Sequence, residues 1–320
     1  MYEAFFGLTK NPFGLTPDSG VLFMTRQHRE ALAGLTYAIL NRKGLAVLMG
    51  AVGTGKSTLL GRVLAHLPAT VRAGVILTPT LTPEEFFELA LLDLGFRNIP
   101  QSKARRLVLL QEFLVSGHRD GKITVLVVDE AHKLSPEVLE ELRLLGNYET
   151  AEAKLLQIVL VGQNELAGVL NRPDLRQLKQ RVAVRLSIEP ISRMEIEQYV
   201  RYRWQAAGGA GMPFSAGALE AVAQASGGVP RLINSLCGSA LLLAFAESSL
   251  TVEPAHVTEA ASDLDLNTHS APLPSQLEPQ AAEEPVLEPV AAQPLVIRTL
   301  ERYQPAAKGS WLSRKLGFAH

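Results

Sequence analysis

The stretch GAVGTGKS, residues 50–57, constrains this chain more than any other. It follows a short apolar run at residues 45–49 and precedes a segment, residues 56–67, with apolar residues at helical spacing. A G-x-x-x-x-G-K-[ST] pattern between a buried strand and a helix calls for a loop whose backbone N–H groups converge on phosphate oxygens. Gly50, Gly53 and Gly55 permit the turns that a side chain would block. Lys56 is expected to reach the β- and γ-phosphates and Ser57 to hold Mg²⁺, with Thr54 and Thr58 completing the phosphate-contacting set. The positive end of the following helix dipole adds to the attraction.

The surrounding pattern sets the fold class. Apolar runs "LAVLM", "VRAGVIL", "ITVLVVDE", "LLQIVLVG" and "VAVRLSI" alternate with helical segments. Continuous apolar runs of this kind suit strands covered on both faces, so the chain is expected to build an open, mainly parallel α/β sheet. Two of the helices open on Thr82-Pro83-Glu84 and Ser135-Pro136-Glu137, an N-cap followed by proline and an acid. After Pro190 only helical periodicity remains. The expected organisation is an α/β nucleotide-binding domain over residues 1–192, with an aromatic- and proline-rich N-terminal segment at 1–35, then a helical lid at 193–266. Residues 267–297 hold six prolines and four glutamates but no Lys or Arg, the composition of an extended, disordered linker. Residues 298–320 form a short basic tail that includes Trp311, Leu312, Leu316 and Phe318.

"VLVVDEAH", residues 125–132, supplies the second half of a hydrolytic site. Asp129 ends an apolar strand, where its carboxylate can order the Mg²⁺ shell, and Glu130 is placed to polarise an attacking water. The fourth strand ends at "VLVGQNE", where Gln163, with Asn164 as the alternative, is positioned to contact a γ-phosphate and the water. Arg176 and Arg181 precede the fifth strand, and Arg181 is the favoured candidate to enter a neighbouring subunit's site. Arg231 begins a helix of the lid, from which it can fold onto the γ-phosphate and couple lid closure to nucleotide state. No Asn/Thr-Lys-x-Asp string reads guanine, and no Leu-Ser-Gly-Gly-Gln string precedes the acidic strand. "DEAH" alone does not make a helicase without a second α/β domain.

These strings, together with "NPFGLTPD", "HREALAGL", "LSPEVLEELRLLGNYET", "LRQLKQRV" and "GGVPRLIN", resemble the AAA+ ATPases over about residues 1–265, and within them the ExeA/GspA-type secretion ATPases. The resemblance implies a five-stranded parallel sheet of order 5-1-4-3-2 with a C-terminal helical lid. It implies an adenine pocket built partly by Asn11, Pro12 and Phe13, and ATP-driven homo-oligomerisation as a ring or filament. It also implies a protein partner in a secretion, pilus or polysaccharide-export complex. Transposition ATPases of the TniB/TnsC kind are similar as well, which makes DNA an alternative partner. The basic strings Lys103/Arg105/Arg106 and residues 172–185 are the candidate track.

Composition narrows the rest. Net charge is −1, so the chain is not a strongly basic nucleic-acid binder overall. Cys237 is the only cysteine, which leaves no intramolecular disulfide and no multi-cysteine metal site. The first residues lack the basic start and apolar core of a signal peptide, and no run of about 18 apolar residues occurs. The expected location is the cytoplasm, at most peripheral at the inner membrane. The tail is a candidate for weak contact with an anionic membrane surface.

Overall fold

The computed structural model describes residues 2–15, 22–77 and 80–266. The expected linker at 267–297 and basic tail at 298–320 lie outside the described residues. Helices α1 (Tyr2–Phe5) and α2 (Arg26–Leu40) precede β1 (Leu45–Gly50) and α3 (Lys56–His66). Next come β2 (Val71–Ile76), α4 (Pro83–Asp93), α5 (Lys103–Arg119), β3 (Ile123–Val128) and a 3-10 turn at Ala131–Lys133. The α/β alternation closes with α6 (Pro136–Leu145), β4 (Leu156–Gly162), α7 (Glu165–Leu170), α8 (Arg176–Gln180) and β5 (Val182–Ile188). Four helices follow: α9 (Arg193–Ala206), α10 (Ala216–Ser226), α11 (Pro230–Ala246) and α12 (Pro254–Asp263).

The strands form one sheet of order β2-β3-β4-β1-β5, with every pairing parallel. Read from its other edge, this is the 5-1-4-3-2 order that the resemblance implies. The burial of each strand explains its place. β1, β3 and β4 are buried at every residue and occupy the centre, whereas β5 alternates between half-buried and exposed positions and forms an edge. Alternation within the central strands separates two cores. Val47, Leu126, Val128 and Leu160 face a layer containing Phe86, Leu114 and Leu142. Leu48, Val125, Val127 and Val161 face Leu35, Ile39, Leu59 and Val63 of α2 and α3. With a side-chain period of two, apolar residues at consecutive positions fill both layers.

Helix starts follow the local chemistry. Thr82 caps α4 in a reciprocal box: its side chain accepts from the Glu85 N–H and the Glu85 carboxylate accepts from the Thr82 N–H. Ser135 caps α6 by accepting from the Val138 N–H. Substituting such a cap by alanine typically costs about 1 kcal/mol.

The helices α9–α12 enclose a third core that contains Trp204, Phe214, Leu236 and Cys237. The first part of the N-terminal segment, residues 2–13, packs here rather than on the sheet. Leu8 and Phe13 are buried in this core, Phe6 meets Trp204 edge-on at 5.9 Å, and Thr9 bonds to the Ala207 carbonyl at 2.9 Å. Full burial pushes the Cys237 thiol pKa up, and the residue serves as a small apolar side chain.

Candidate functional site

The register of the sheet decides where the site lies. Met49 of β1 pairs with Gly162 of β4, and Val128 of β3 pairs with Leu160. The carboxyl ends of three neighbouring parallel strands therefore finish side by side, and the segments that leave them carry residues 50–57, Asp129–Glu130 and Gln163. An open α/β sheet binds ligands at that edge, where its connections diverge.

The loop from β1 to α3 is tightly enclosed. A side chain at Gly50 would place its Cβ 2.4 Å from the Ile188 carbonyl oxygen. Gly53 adopts φ +79°, and a Cβ there would lie 2.8 Å from the Arg231 Cβ. Thr54 is buried and its hydroxyl donates to the Ala51 carbonyl at 2.9 Å. Lys56, also buried, donates to the Gly50 and Ala51 carbonyls at 2.7 Å each. Burial lowers the Lys56 pKa, against the opposing pull of Asp129, Glu130 and Glu165.

Ser57 donates to Asp129 Oδ2 at 3.0 Å. Asp129 is held in turn by its own N–H to the Ile76 carbonyl and by the Glu130 N–H to its Oδ1 at 2.8 Å. A hydroxyl beside a fixed carboxylate is a pair of hard oxygen ligands, which fits Mg²⁺, an ion usually bound through one or two carboxylates with water and phosphate oxygens. Among the described residues no cluster of three or more His, Cys, Asp or Glu offers an alternative metal site.

Glu130 adopts φ +52°, the left-handed region that non-glycine residues rarely occupy. Its carboxylate lies 2.9 Å from Lys133 Nζ and 3.7 Å from His132 Nε2. Burial alone would raise its pKa. The Lys133 ion pair, with the Lys56 charge behind it, outweighs that effect and keeps it below the ordinary glutamate value, ionised at neutral pH.

Gly53, Thr54, Gly55, Lys56, Ser57, Thr58, Glu130, Gln163 and Arg231 all line one cavity of about 270 Å³. The helical unit supplies the opposite wall through Tyr199, Arg203, Arg231 and Asn234. The two walls touch: the Arg231 N–H donates to the Gly53 carbonyl at 3.3 Å.

One sequence expectation is corrected. Asn11, Pro12 and Phe13 do not line the cavity. Phe13 is consumed as a core anchor against Phe214, Asn11 caps a turn by accepting from the Phe13 N–H, and the Pro12 carbonyl accepts from Arg203. The N-terminal segment instead contributes Gly14, Leu15, Leu22 and Phe23 to the cavity. The basic track is partly paired. Lys103 bonds to Glu141, Arg106 pairs with Glu88 at 2.9 Å, and Arg172 pairs with Asp174 at 2.9 Å. Those three charges are paired within the chain, whereas Arg105, Arg176, Lys179 and Arg185 of the same strings have no ion pair among the described residues. Arg181 lies outside the cavity and donates to the Arg143 carbonyl at 2.8 Å, satisfying a free carbonyl near the end of α6. Arg176 is exposed.

Sequence reasoning missed His28, Tyr199, Arg203 and Asn234. His28 is buried on α2, with Nε2 3.2 Å from the Thr54 carbonyl and Nδ1 2.7 Å from the Thr25 hydroxyl. A carbonyl only accepts, so Nε2 carries the proton and Nδ1 accepts from Thr25. Burial pushes the imidazole pKa down, in keeping with this neutral form, and the ring pins the phosphate loop from behind. The Tyr199 hydroxyl donates to Asn234 Oδ1 at 2.8 Å, joining α9 to α11. These residues belong to no short motif. Thr25 followed by His28 at N-cap spacing was the single available signal.

Comparison with known proteins agrees with this geometry. Residues 39–170 match the AAA domain family. Over 268 residues, 82% of this chain, the sequence is 42% identical to general secretion pathway protein A of Aeromonas hydrophila. The alignment covers 48% of that protein, so this chain spans about half the length of its curated relative. Among solved structures, Cdc6p of Pyrobaculum aerophilum superposes with a TM-score of 0.64 at 22% identity, covering 80% of this chain and 71% of that one. The RuvB Holliday junction branch migration motor of Thermotoga maritima gives 0.52 at 17% identity, covering 80% and 74%. At such identities these two likenesses speak for the fold alone. With the AAA domain match, the sheet order and the secretion-protein relative in agreement, this chain belongs to the AAA+ ATPases and is related to general secretion pathway protein A.

Proposed function

We propose that the chain binds Mg-ATP in this cavity and hydrolyses it, and that the helical unit responds to nucleotide state. One observation carries the reading: a single cavity has the phosphate loop, Glu130 and Gln163 on one wall and Arg231 on the other. Gly50, Gly53, Thr54, Gly55 and Thr58 shape the loop. Lys56 exchanges the Gly50 and Ala51 carbonyls for phosphate oxygens. Ser57 and Asp129 hold Mg²⁺, which when bound offsets charge on the β- and γ-phosphate oxygens. Glu130, ionised and partly desolvated, accepts a proton from the attacking water. Gln163 contacts the γ-phosphate side, and Arg231 carries its presence into α11.

Replacing Glu130→Gln keeps the shape and removes the base. Nucleotide affinity should persist while phosphate release slows by about 10²–10⁴-fold. Full turnover in that variant sinks the assignment.

The oligomeric reading adds Arg181, released from the Arg143 carbonyl, as the group that crosses into a neighbouring copy of the chain within a ring or filament. Mixing Arg181→Ala with Lys56→Ala subunits should restore part of the lost hydrolysis, because a mixed interface can pair an intact site with an intact arginine. An inactive mixture counts against action between subunits.

The relation to general secretion pathway protein A supports a partner in a secretion, pilus or polysaccharide-export complex, with the chain acting on its assembly at the cytoplasmic side. No helix among the described residues is long and apolar enough to cross a membrane. Cells whose only copy is Glu130→Gln should lose export of a reporter, and undiminished export would argue against this role. For the DNA-associated alternative, salt-sensitive, ATP-dependent DNA binding would be the deciding result, and its absence would favour the secretion reading.

A further inference from the structure

His132 stands between the two groups that face the reaction. The Gln163 main-chain N–H donates to its Nδ1 at 3.3 Å. A backbone N–H only donates, so Nδ1 is unprotonated and the proton of the neutral ring sits on Nε2. Nε2 faces the Glu130 carboxylate at 3.7 Å, and the His132 side chain is only 11% exposed. The packing behind it has little slack. At Gly162, immediately before Gln163, a Cβ would lie 3.3 Å from the His132 main-chain nitrogen and 3.0 Å from Leu166 Cδ2. Glu130 also has a second partner, Lys133, whose side chain is 53% exposed. Lys133 pairs with the carboxylate from the solvent side, and the His132 ring faces it from the interior, one small shift from hydrogen-bond distance. Without the imidazole, the ion pair with Lys133 would draw the Glu130 carboxylate outward.

We propose that His132 is a positioning residue that ties the Glu130 carboxylate to the main chain at Gln163, so that the water-activating group and the γ-phosphate-facing strand end move as one unit. The inference rests on Glu130 activating water, as set out above.

The test uses the full chain and two readouts: phosphate release at saturating ATP, and equilibrium affinity for a fluorescent ATP analogue. His132→Ala should lower kcat by about 10–100-fold, the range typical when a supporting partner of a reactive group is removed. Its nucleotide affinity and thermal midpoint should stay at the wild-type values. His132→Gln should recover most of the lost kcat, because an amide can accept from the Gln163 N–H and donate to Glu130 at once. Three results overturn the proposal. One is wild-type kcat in His132→Ala when Glu130→Gln is inactive. Another is loss of affinity or thermal stability in step with kcat, which indicates a purely structural role. The third is a His132→Gln variant as slow as His132→Ala. An active Glu130→Gln, by contrast, removes the water-activation reading itself, so the two failures are distinguishable.

Discussion

The two walls of the cavity are built on different principles. The sheet-side wall takes its geometry from main-chain register: β1, β3 and β4 are buried at every residue, and their ends place residues 50–57, Asp129 and Gln163 together. The helical wall has its own self-contained core, with Trp204 buried at its centre. It meets the loop through one main-chain bond, from Arg231 to Gly53, and through the contact of Val229 and Arg231 with Gly53. Its connection to the sheet passes through Ile191, whose N–H donates to the Gly228 carbonyl at 2.8 Å. One wall is fixed by the sheet. The other has a core of its own, which is the arrangement that the proposed nucleotide-driven shift of a second unit requires.

The strongest attempt to break this comparison is Trp204→Ala. Removing a buried tryptophan should cost about 3–5 kcal/mol. Amide exchange should accelerate across α9–α12 while β1, β3 and β4 stay protected. Equal acceleration in both regions would mean that the two walls form a single cooperative unit.

A smaller change sharpens the comparison. Arg231→Ala removes the guanidinium but leaves the N–H that docks on Gly53. Turnover should fall by about 10²-fold, the loss typical of one positioned donor, with Trp204-core exchange unchanged. Wild-type turnover would leave the helical wall as a cover with no part in sensing.

Much of the sheet-side wall was legible before any coordinates. The five apolar runs became the five strands, because a residue buried on either face must be apolar whichever way it points. Thr82 and Ser135 marked helix starts because capping is a contact between residues three apart. The phosphate loop and the acidic pair are contiguous strings, so their chemistry can be read without knowing the fold. The helical wall was less legible. Tyr199, Arg203 and Asn234 reach the cavity only because α9 and α11 are brought to one wall, joined there by the Tyr199–Asn234 hydrogen bond, and His28 does so because α2 lies behind the loop. Phe13 shows how such a reading fails. An aromatic near a nucleotide motif suits a base pocket and an apolar core equally, and here the core took it.

The sequence by itself determined the chemistry available: a glycine-rich loop with Lys56 and Ser57, a carboxylate pair at a strand end, and alternating strands and helices that force a parallel sheet. Those properties are local, set by side-chain type, backbone freedom and periodicity. Tertiary structure alone decided which distant residues share the cavity, that Arg181 is held by the Arg143 carbonyl, and that His132 lies between Glu130 and Gln163. The reason is physical. Contacts between residues tens to hundreds of positions apart depend on how whole elements pack, and short-range pattern carries no record of that packing.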